Sequence, residues 1–228
     1  MIPMMNEYKN LIINFVKEHQ KGLKIALLVF LVGGMIFKGL MQIPQINASK
    51  AEVAKLTNQI EYEQERQKEI EELKENNTAP AEAWEVIEKG ASLIGSVMYS
   101  MEQRQLDGRD NLEFLDCSSF TACAFHKSGI TSVPYASTTA TFISSKKFED
   151  ISGDKLQPGD IGLKSKTGGT GGANHVGIYC GKMKNGTVVW IHCTSSSSTS
   201  LTGNSEGAMF GAYTNFTYFR RLKKWNKD

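Results

Sequence analysis

The 228-residue chain lacks the sequence features that most often indicate metal or nucleic-acid binding. Its 26 basic and 24 acidic residues leave a formal charge of +2, and no segment resembles a basic recognition helix, so a nucleic-acid partner is not expected. The four cysteines include no CxxC pair, and no Cys or His stands at zinc-ligand spacing. We therefore expect no metal and no cofactor. The even cysteine count leaves disulfides open if the chain acts outside the cell.

Long apolar runs are also scarce, with one exception near the N-terminus. Residues 22–43 read GLKIALLVFLVGGMIFKGLMQI, and their uninterrupted part, Ile25 to Phe37, is short for a membrane span. Lys24 and Lys38 lie near its ends, where long side chains can reach the headgroups and let the whole segment cross. We interpret residues 22–43 as a transmembrane helix. A cleaved signal peptide and a buried core helix are the alternatives, although no A-x-A site follows.

Basic residues are distributed unevenly around this segment. Lys9, Lys17 and Lys21 precede it, whereas no basic residue follows Lys38 until Lys50. The positive-inside bias predicts that residues 1–21 are cytoplasmic and that the rest of the chain is extracytoplasmic.

Residues 44–78 are predicted to form a helical stalk. From Ala48 to Asn76 the chain is rich in Glu, Lys and Gln and has no Gly or Pro, which favours a helix on the order of 40 Å long. Glu63 and Gln67 interrupt the apolar seam, so we expect a solvated stalk rather than a lasting coiled coil.

Residues 79–228 have a composition that suits one compact α+β domain. A helical apolar face starts near Trp84, behind Pro80 in the first turn. Four short β-rich runs follow the second helix and predict an antiparallel sheet. These runs are Asp160 to Leu163, His175 to Cys180, Val188 to Cys193 and Tyr213 to Phe219.

Cys117 stands where a helix is expected to begin. Asp116 is a favourable N-cap, and an apolar face follows at i, i+3 and i+4 spacing. The positive end of the helix dipole and the free backbone N–H groups favour a thiolate there, and the same groups can bind an oxyanion. Cys123, on the apolar face of the same helix, is expected in the core.

Two of the four histidines can serve such a thiol. His19 precedes the apolar segment, and His126 lies about 180° around the helix from Cys117. His175 and His192 lie on two runs separated by a turn signal. If Gly181 faces Gly186, His175 pairs directly with His192, Cys180 with Thr187, and Cys193 with Asn174. One imidazole can then orient the other, and a disulfide between Cys180 and Cys193 is not expected.

Four blocks in this order resemble the NlpC family of cell-wall cysteine peptidases. They are LDCSSF at 115–120, LQPGD at 156–160, HVGIYCG at 175–181 and VVWIHCTS at 188–195, and the resemblance extends from about Ala81 to Phe219. It implies a small papain-like α+β domain with its N-terminal helices packed on an antiparallel sheet. Cys117 would be the nucleophile, His175 the general base, and His192 the residue that orients the base. Asp116, Ser118 and Tyr99 are candidate substrate-binding residues, and Ser119 replaces a glycine that is usual in the family.

The resemblance also implies a reaction, which is hydrolysis of the γ-D-glutamyl bond to a diamino acid in peptidoglycan stem peptides. We therefore expect a bacterial, single-pass membrane enzyme. Through its stalk it could bind protein partners in an envelope-spanning secretion or conjugation machine. A CHAP-like N-acetylmuramoyl-L-alanine amidase, and a catalytically silent wall-binding or assembly module, are the alternatives.

Overall fold

The structure, a computed structural model, describes residues 43–108, 110–167, 169, 173–196, 198–201 and 206–226. The predicted transmembrane segment lies outside the described residues except for Ile43. No helix in the described part of the chain is long and apolar enough to cross a membrane. The chain divides into two compact units, Met1–Glu63 and Gln64–Asp228.

Helix α1 spans Ile43–Asn76, so it begins one residue before the predicted stalk of residues 44–78 and ends two residues before the end of that stalk. Its residues from Gln64 onward belong to the second compact unit. Ile70 and Leu73 are 3% and 0% exposed, and the buried Arg66 guanidinium donates to the carbonyl oxygens of Ala91 and Ile94. The last three turns of α1 are therefore part of the domain core, in contrast to the solvated stalk expected up to residue 78. The sequence pattern did not reveal this because a single apolar stripe does not specify what covers it.

Glu69 lies on this packed part of α1. Burial raises its pKa to about 7, and the charges of Glu65 and Glu72 add to the effect. Its Oε2 atom is buried and has no hydrogen-bond partner among the described residues. Glu69 is thus a destabilising group whenever it is ionised.

Asn77 joins the end of α1 to a hairpin of the main sheet. Its Oδ1 atom accepts the N–H of Lys182, and its Nδ2 atom donates to the Lys182 carbonyl, both at 2.9 Å. Nδ2 also donates to the carbonyl of Leu73 at 2.8 Å. The contact is close, since a β-carbon on Gly181 would lie 2.5 Å from Asn77 Cγ.

The domain is α+β, as predicted. Helix α2 (Ala81–Ala91) packs on helix α3 (Cys117–Lys127), and α3 packs on the sheet. A short helix, α4 (Thr139–Ser144), follows. Gly90 lies where α2 meets both neighbours, because a β-carbon there would contact Ile191 at 3.2 Å and Phe120 at 3.3 Å.

The main sheet has six antiparallel strands in the order β3-β8-β4-β5-β6-β7. The strands are β3 (Phe148–Ile151), β4 (Ile161–Leu163), β5 (Val176–Lys182), β6 (Val188–Thr194), β7 (Gly207–Gly211) and β8 (Tyr218–Leu222). Strands β1 (Met98–Tyr99) and β2 (Phe114–Leu115) form a separate parallel pair.

Both strands at the edges of the main sheet were missed in the sequence pattern. β3 reads FEDI and carries two acidic residues, and β7 reads GAMFG between glycines, so neither has the apolar or β-branched run of a central strand. Of the run predicted from Tyr213 to Phe219, only Tyr218 and Phe219 lie in a strand, because β8 begins at Tyr218.

The predicted register of the β5–β6 hairpin is wrong by two residues. Ile178 faces Ile191 and Tyr179 faces Trp190, and continuing this ladder places Gly177, rather than His175, opposite His192. The register then shifts between Tyr179 and Gly181. This bulge was not visible in the turn sequence, and it removes the predicted pairing of Cys180, whereas the two-residue difference in register removes that of Cys193. Because an even shift preserves the sheet face, the two histidines remain on the same side.

Candidate active site

A capping box fixes the start of helix α3. The Oδ1 atom of Asp116 accepts the backbone N–H of Ser119 at 2.7 Å, and Ser119 Oγ accepts the backbone N–H of Asp116 at 2.8 Å. Ser119 Oγ also lies 2.8 Å from Asp116 Oδ1, to which it can donate. Each residue therefore satisfies a free donor of the other, which is how such boxes stabilise helix N-termini. The hydrogen bond from the Asp116 backbone N–H to Ser119 Oγ needs a side chain at position 119, which the glycine expected there from the NlpC resemblance would not provide.

Asp116 is a charged group inside this cap and is only 4% exposed. Burial would raise its pKa, but the backbone N–H of Ser119 and the side chains of Arg104, Ser119 and Ser118 outweigh this effect, so that its pKa is lowered. Arg104 supplies the balancing charge through Asp116 Oδ2. Asp116 is therefore an ionised carboxylate that is stabilised by hydrogen bonds from the first turn of α3 and by Arg104.

Cys117 follows this cap as the first residue of α3 and is 8% exposed. Burial, with the Asp116 carboxylate as the second cause, raises its pKa to about 12, although hydrogen bonds from the backbone N–H groups of Val176, Ser118 and Cys117 oppose the shift. The expected preference of this position for a thiolate is therefore outweighed, because the pKa of the thiol is raised. The helix N-terminus does supply amides, but loss of water and the negative N-cap have larger effects.

The backbone N–H of Val176 also places the Cys117 sulfur relative to the histidines. It lowers the pKa of the thiol by hydrogen bonding to it, and Val176 directly follows His175 at the start of β5. Helix α3 packs on both β5 and β6. The sulfur therefore lies against the end of β5 where His175 is located.

His175 and His192 form a hydrogen-bonded pair. His175 Nε2 lies 2.8 Å from His192 Nδ1, and the two rings are nearly perpendicular at 77°. Since they occupy diagonal rather than opposite positions on the two strands, the His175 ring reaches across the hairpin. Gly177 makes room for this, because a β-carbon there would lie 3.2 Å from His192 Cβ.

The pair lies in an apolar environment. His192 is 1% exposed, and burial, with the neighbouring His175 as a second cause, lowers its pKa. Burial also lowers the pKa of His175, with Lys164 adding to the effect and Asp116 opposing it. Phe216 stacks parallel to the His175 ring at 5.7 Å, and Tyr213 lies 5.2 Å from it. Both imidazoles are therefore neutral near pH 7.

The three predicted substrate-binding residues have different surroundings. Tyr99 ends β1, which pairs with β2 just before Asp116. Burial raises the pKa of Tyr99 to about 12, and electrostatic interactions with Cys117 and Asp116 add to the effect, so its phenol lies near the thiol. Ser118 and Asp116, by contrast, are both 4% exposed and are joined by a 2.9 Å hydrogen bond. Their groups position the helix and have little surface for a substrate.

Cys123, Cys180 and His126 lie apart from this arrangement, whereas Cys193 directly follows His192 and interacts electrostatically with Cys117. Cys123 is 1% exposed in the core, and His126 contacts the Val133 carbonyl at 3.2 Å and packs against Tyr135 with the two rings tilted. All four cysteines are free thiols, and Cys193 contacts the carbonyl of Leu115 at 3.4 Å. In the described part of the chain, no group of three or more His, Cys, Asp or Glu side chains is arranged to hold a metal ion.

Arg104, Tyr213 and Phe216 are site residues that sequence reasoning missed. Arg104 lies in a stretch that matches no family block, so nothing marked it. Tyr213 and Phe216 fall in the aromatic run YTNFTYF, which was assigned to a strand. Their spacing of three residues is not the alternation of a strand and was the available signal.

Residues 102–214 match the model of the NlpC/P60 family. The match supports assignment of this domain to that family. It also supports a cysteine peptidase activity directed at cell-wall peptidoglycan. No curated protein matches the chain.

The NlpC/P60 match includes most of the site described above. Cys117, His175 and His192 lie within it, together with Arg104 and Tyr213. Tyr99 and Phe216 lie just outside its ends. The matched range is narrower than the resemblance drawn from Ala81 to Phe219, and the packed end of helix α1 is not part of it.

Proposed function

We propose that the protein is a membrane-anchored peptidoglycan hydrolase that cleaves the γ-D-glutamyl bond to a diamino acid by thiol catalysis. The observation that carries the proposal is the capped Cys117 at the start of α3, hydrogen-bonded to the backbone N–H of Val176, the residue after His175 of the His175–His192 pair. A nucleophile, a base and a third group that orients the base form the arrangement required for acyl transfer.

The reaction begins from a neutral thiol and a neutral imidazole. Burial raises the pKa of Cys117 and lowers that of His175, so both causes oppose an ion pair before substrate binds. The thiol proton therefore passes to His175 as the sulfur attacks the substrate carbonyl. The negative charge that develops on the carbonyl oxygen is stabilised by backbone N–H groups in the first turn of α3.

The tetrahedral intermediate then collapses. The C–N bond breaks, the leaving amine takes the proton from His175, and an acyl-enzyme forms on Cys117. Water hydrolyses this thioester, with His175 acting first as base and then as acid, and regenerates the thiol. His192 contributes by accepting a hydrogen bond from His175 Nε2, which leaves Nδ1 as the basic nitrogen of His175.

The site of action follows from the N-terminal pattern. Residues 22–43 would anchor the chain in a bacterial membrane with the N-terminus inside, and the peptidase domain would then face the wall. The long polar helix α1 would allow partners of an envelope-spanning secretion or conjugation machine to bind and direct local wall opening. Fractionation of cells tests the anchor, since deletion of residues 22–43 should release the protein from the membrane pellet.

The activity is tested with the full chain in mild detergent and purified peptidoglycan. Wild type should release disaccharide-linked dipeptides, detected by mass spectrometry, and Cys117→Ala should release none. Cys123→Ala is the matched control, since it removes a neighbouring buried thiol of the same helix and should retain activity.

Other products would contradict the proposal in defined ways. Free stem peptides would identify an amidase. Wall binding without any released fragment, in wild type and Cys117→Ala alike, would identify a silent binding module. Equal activity of both proteins would exclude Cys117 as the nucleophile.

A further inference from the structure

The distal nitrogen of His192 is a buried polar atom that the reaction described above does not use. His192 Nδ1 contacts His175, whereas Nε2 is buried and has no hydrogen-bond partner among the described residues. The ring is 1% exposed, so bulk water does not reach this atom.

In the tautomer that catalysis requires, His192 Nε2 carries a hydrogen. For His175 Nδ1 to act as a base, His175 Nε2 must carry the hydrogen and donate it to His192 Nδ1. Neutral His192 then carries its own hydrogen on Nε2, since a neutral imidazole has one N–H and one acceptor. The active tautomer therefore requires an acceptor for His192 Nε2–H, because buried donors are nearly always paired.

Thr199 presents two oxygen acceptors on the other side of Gly211 from His192 Nε2. The point that a β-carbon on Gly211 would occupy lies 2.6 Å from His192 Nε2, 3.0 Å from the Thr199 carbonyl oxygen and 3.3 Å from Thr199 Oγ1. Only a glycine at position 211 leaves this space between the imidazole and Thr199 open.

The backbone around Thr199 is held in place. Its carbonyl accepts the N–H of Ala212 at 2.9 Å, Leu201 donates to the Phe210 carbonyl at 2.8 Å, and Ser200 forms a β-bridge with Gly211. The carbonyl is thus already used by the sheet, whereas a hydroxyl can rotate towards a new donor.

We propose that Thr199 is a positioning residue whose hydroxyl accepts the hydrogen of His192 Nε2, directly after a small shift or through one water molecule. It thereby keeps His192 Nδ1 as the acceptor for His175. Its effect on catalysis is indirect, since electron density released towards Nδ1 stabilises the imidazolium that His175 becomes in the transition state. The kinetic consequence rests on the proposed function, whereas the tautomer itself does not.

The test compares Thr199→Val, which has nearly the same shape and no hydroxyl, with Thr199→Ser, which keeps the hydroxyl, both in the full chain. Thr199→Val should lower kcat/KM about tenfold, as loss of one hydrogen bond in the transition state does, and should leave KM nearly unchanged. The acid limb of its pH–rate profile should move to lower pH, because His175 becomes a weaker base. Thr199→Ser should restore both properties.

A second measurement is independent of activity. Nitrogen NMR of the imidazoles, in the Cys117→Ala background, should show His192 protonated at Nε2 with the Thr199 hydroxyl present and a mixture of tautomers in Thr199→Val. An unchanged acid limb together with an unchanged tautomer in Thr199→Val would overturn the proposal. If wild type is inactive on peptidoglycan, the NMR result still decides it.

Discussion

Ser119 offers the sharpest test of how the nucleophile is positioned. Replacing it by alanine removes the acceptor of the Asp116 N–H and one donor to the Asp116 carboxylate, both at 2.8 Å. Ser119 and Asp116 are 1% and 4% exposed, so water does not replace either bond. A buried donor left without a partner costs about 1–3 kcal/mol, and loss of a cap residue typically costs about 1 kcal/mol.

Differences in helix propensity determine which of the two Ser119 variants is the less stable. Alanine is the better helix former, which returns roughly 0.5 kcal/mol, so we expect Ser119→Ala to lower the free energy of unfolding by about 1–2 kcal/mol. Glycine in the same turn costs about 1 kcal/mol more than alanine. Restoring the family glycine, Ser119→Gly, should therefore destabilise the domain by about 2–3 kcal/mol.

The effect should also depend on pH. The lowered pKa of Asp116 contributes stability above the pKa of an unfolded Asp, about 3.9, and this contribution is lost as the pH falls through the folded pKa. Because Ser119 is one of the groups that lower this pKa, Ser119→Ala should bring the folded pKa closer to the unfolded pKa and should therefore lose less stability on acidification than wild type.

Urea unfolding followed by tryptophan fluorescence, at neutral and acidic pH, measures both effects. Ser118→Ala is the matched control, because the Ser118 hydroxyl only donates to Asp116 Oδ1 at 2.9 Å and its loss leaves the Asp116 N–H paired. We expect the control to cost less than 1 kcal/mol, roughly the net value of one hydrogen bond. Equal losses for Ser118→Ala and Ser119→Ala, or a Ser119→Gly variant as stable as wild type, would refute the capping argument.

Two further predictions concern the packed end of helix α1. Asn77→Ala removes both hydrogen bonds to the Lys182 backbone and should lower the free energy of unfolding by about 1–2 kcal/mol. The control Asn76→Ala loses one exposed hydrogen bond within its own helix and should stay within about 0.5 kcal/mol of wild type. Similar urea midpoints for the two variants would contradict this prediction. Glu69 has a raised pKa of about 7, so the folded state should lose stability as the pH rises from 4.5 through 7. Glu69→Gln should abolish this loss of stability, whereas the control Glu71→Gln, at an exposed position of the same helix, should not. A pH dependence that survives in Glu69→Gln would show that Glu69 is not its source.

The start of helix α3 illustrates what short-range pattern determined in this chain. Asp116, Cys117 and Ser119 lie within four residues, and their cap depends on hydrogen bonds between near neighbours in sequence. Such bonds need no other part of the fold, so the helix start at Cys117 was predictable. The shared sheet face of His175 and His192 was predictable for a related reason, since the alternation of side chains survives an even error in register.

Tertiary packing decided the properties that depend on what covers a residue. The cap residue that starts the helix also adds a buried negative charge beside Cys117, and only the packed structure shows that burial raises the pKa of the thiol. The same holds for the docking of α1 from Gln64 onward and for the aromatic rings around His175. Sequence pattern thus determined which groups are present and which face of the sheet they share. Contacts between residues far apart in the chain decided how far these groups are removed from water, and therefore the protonation of the thiol and the two imidazoles.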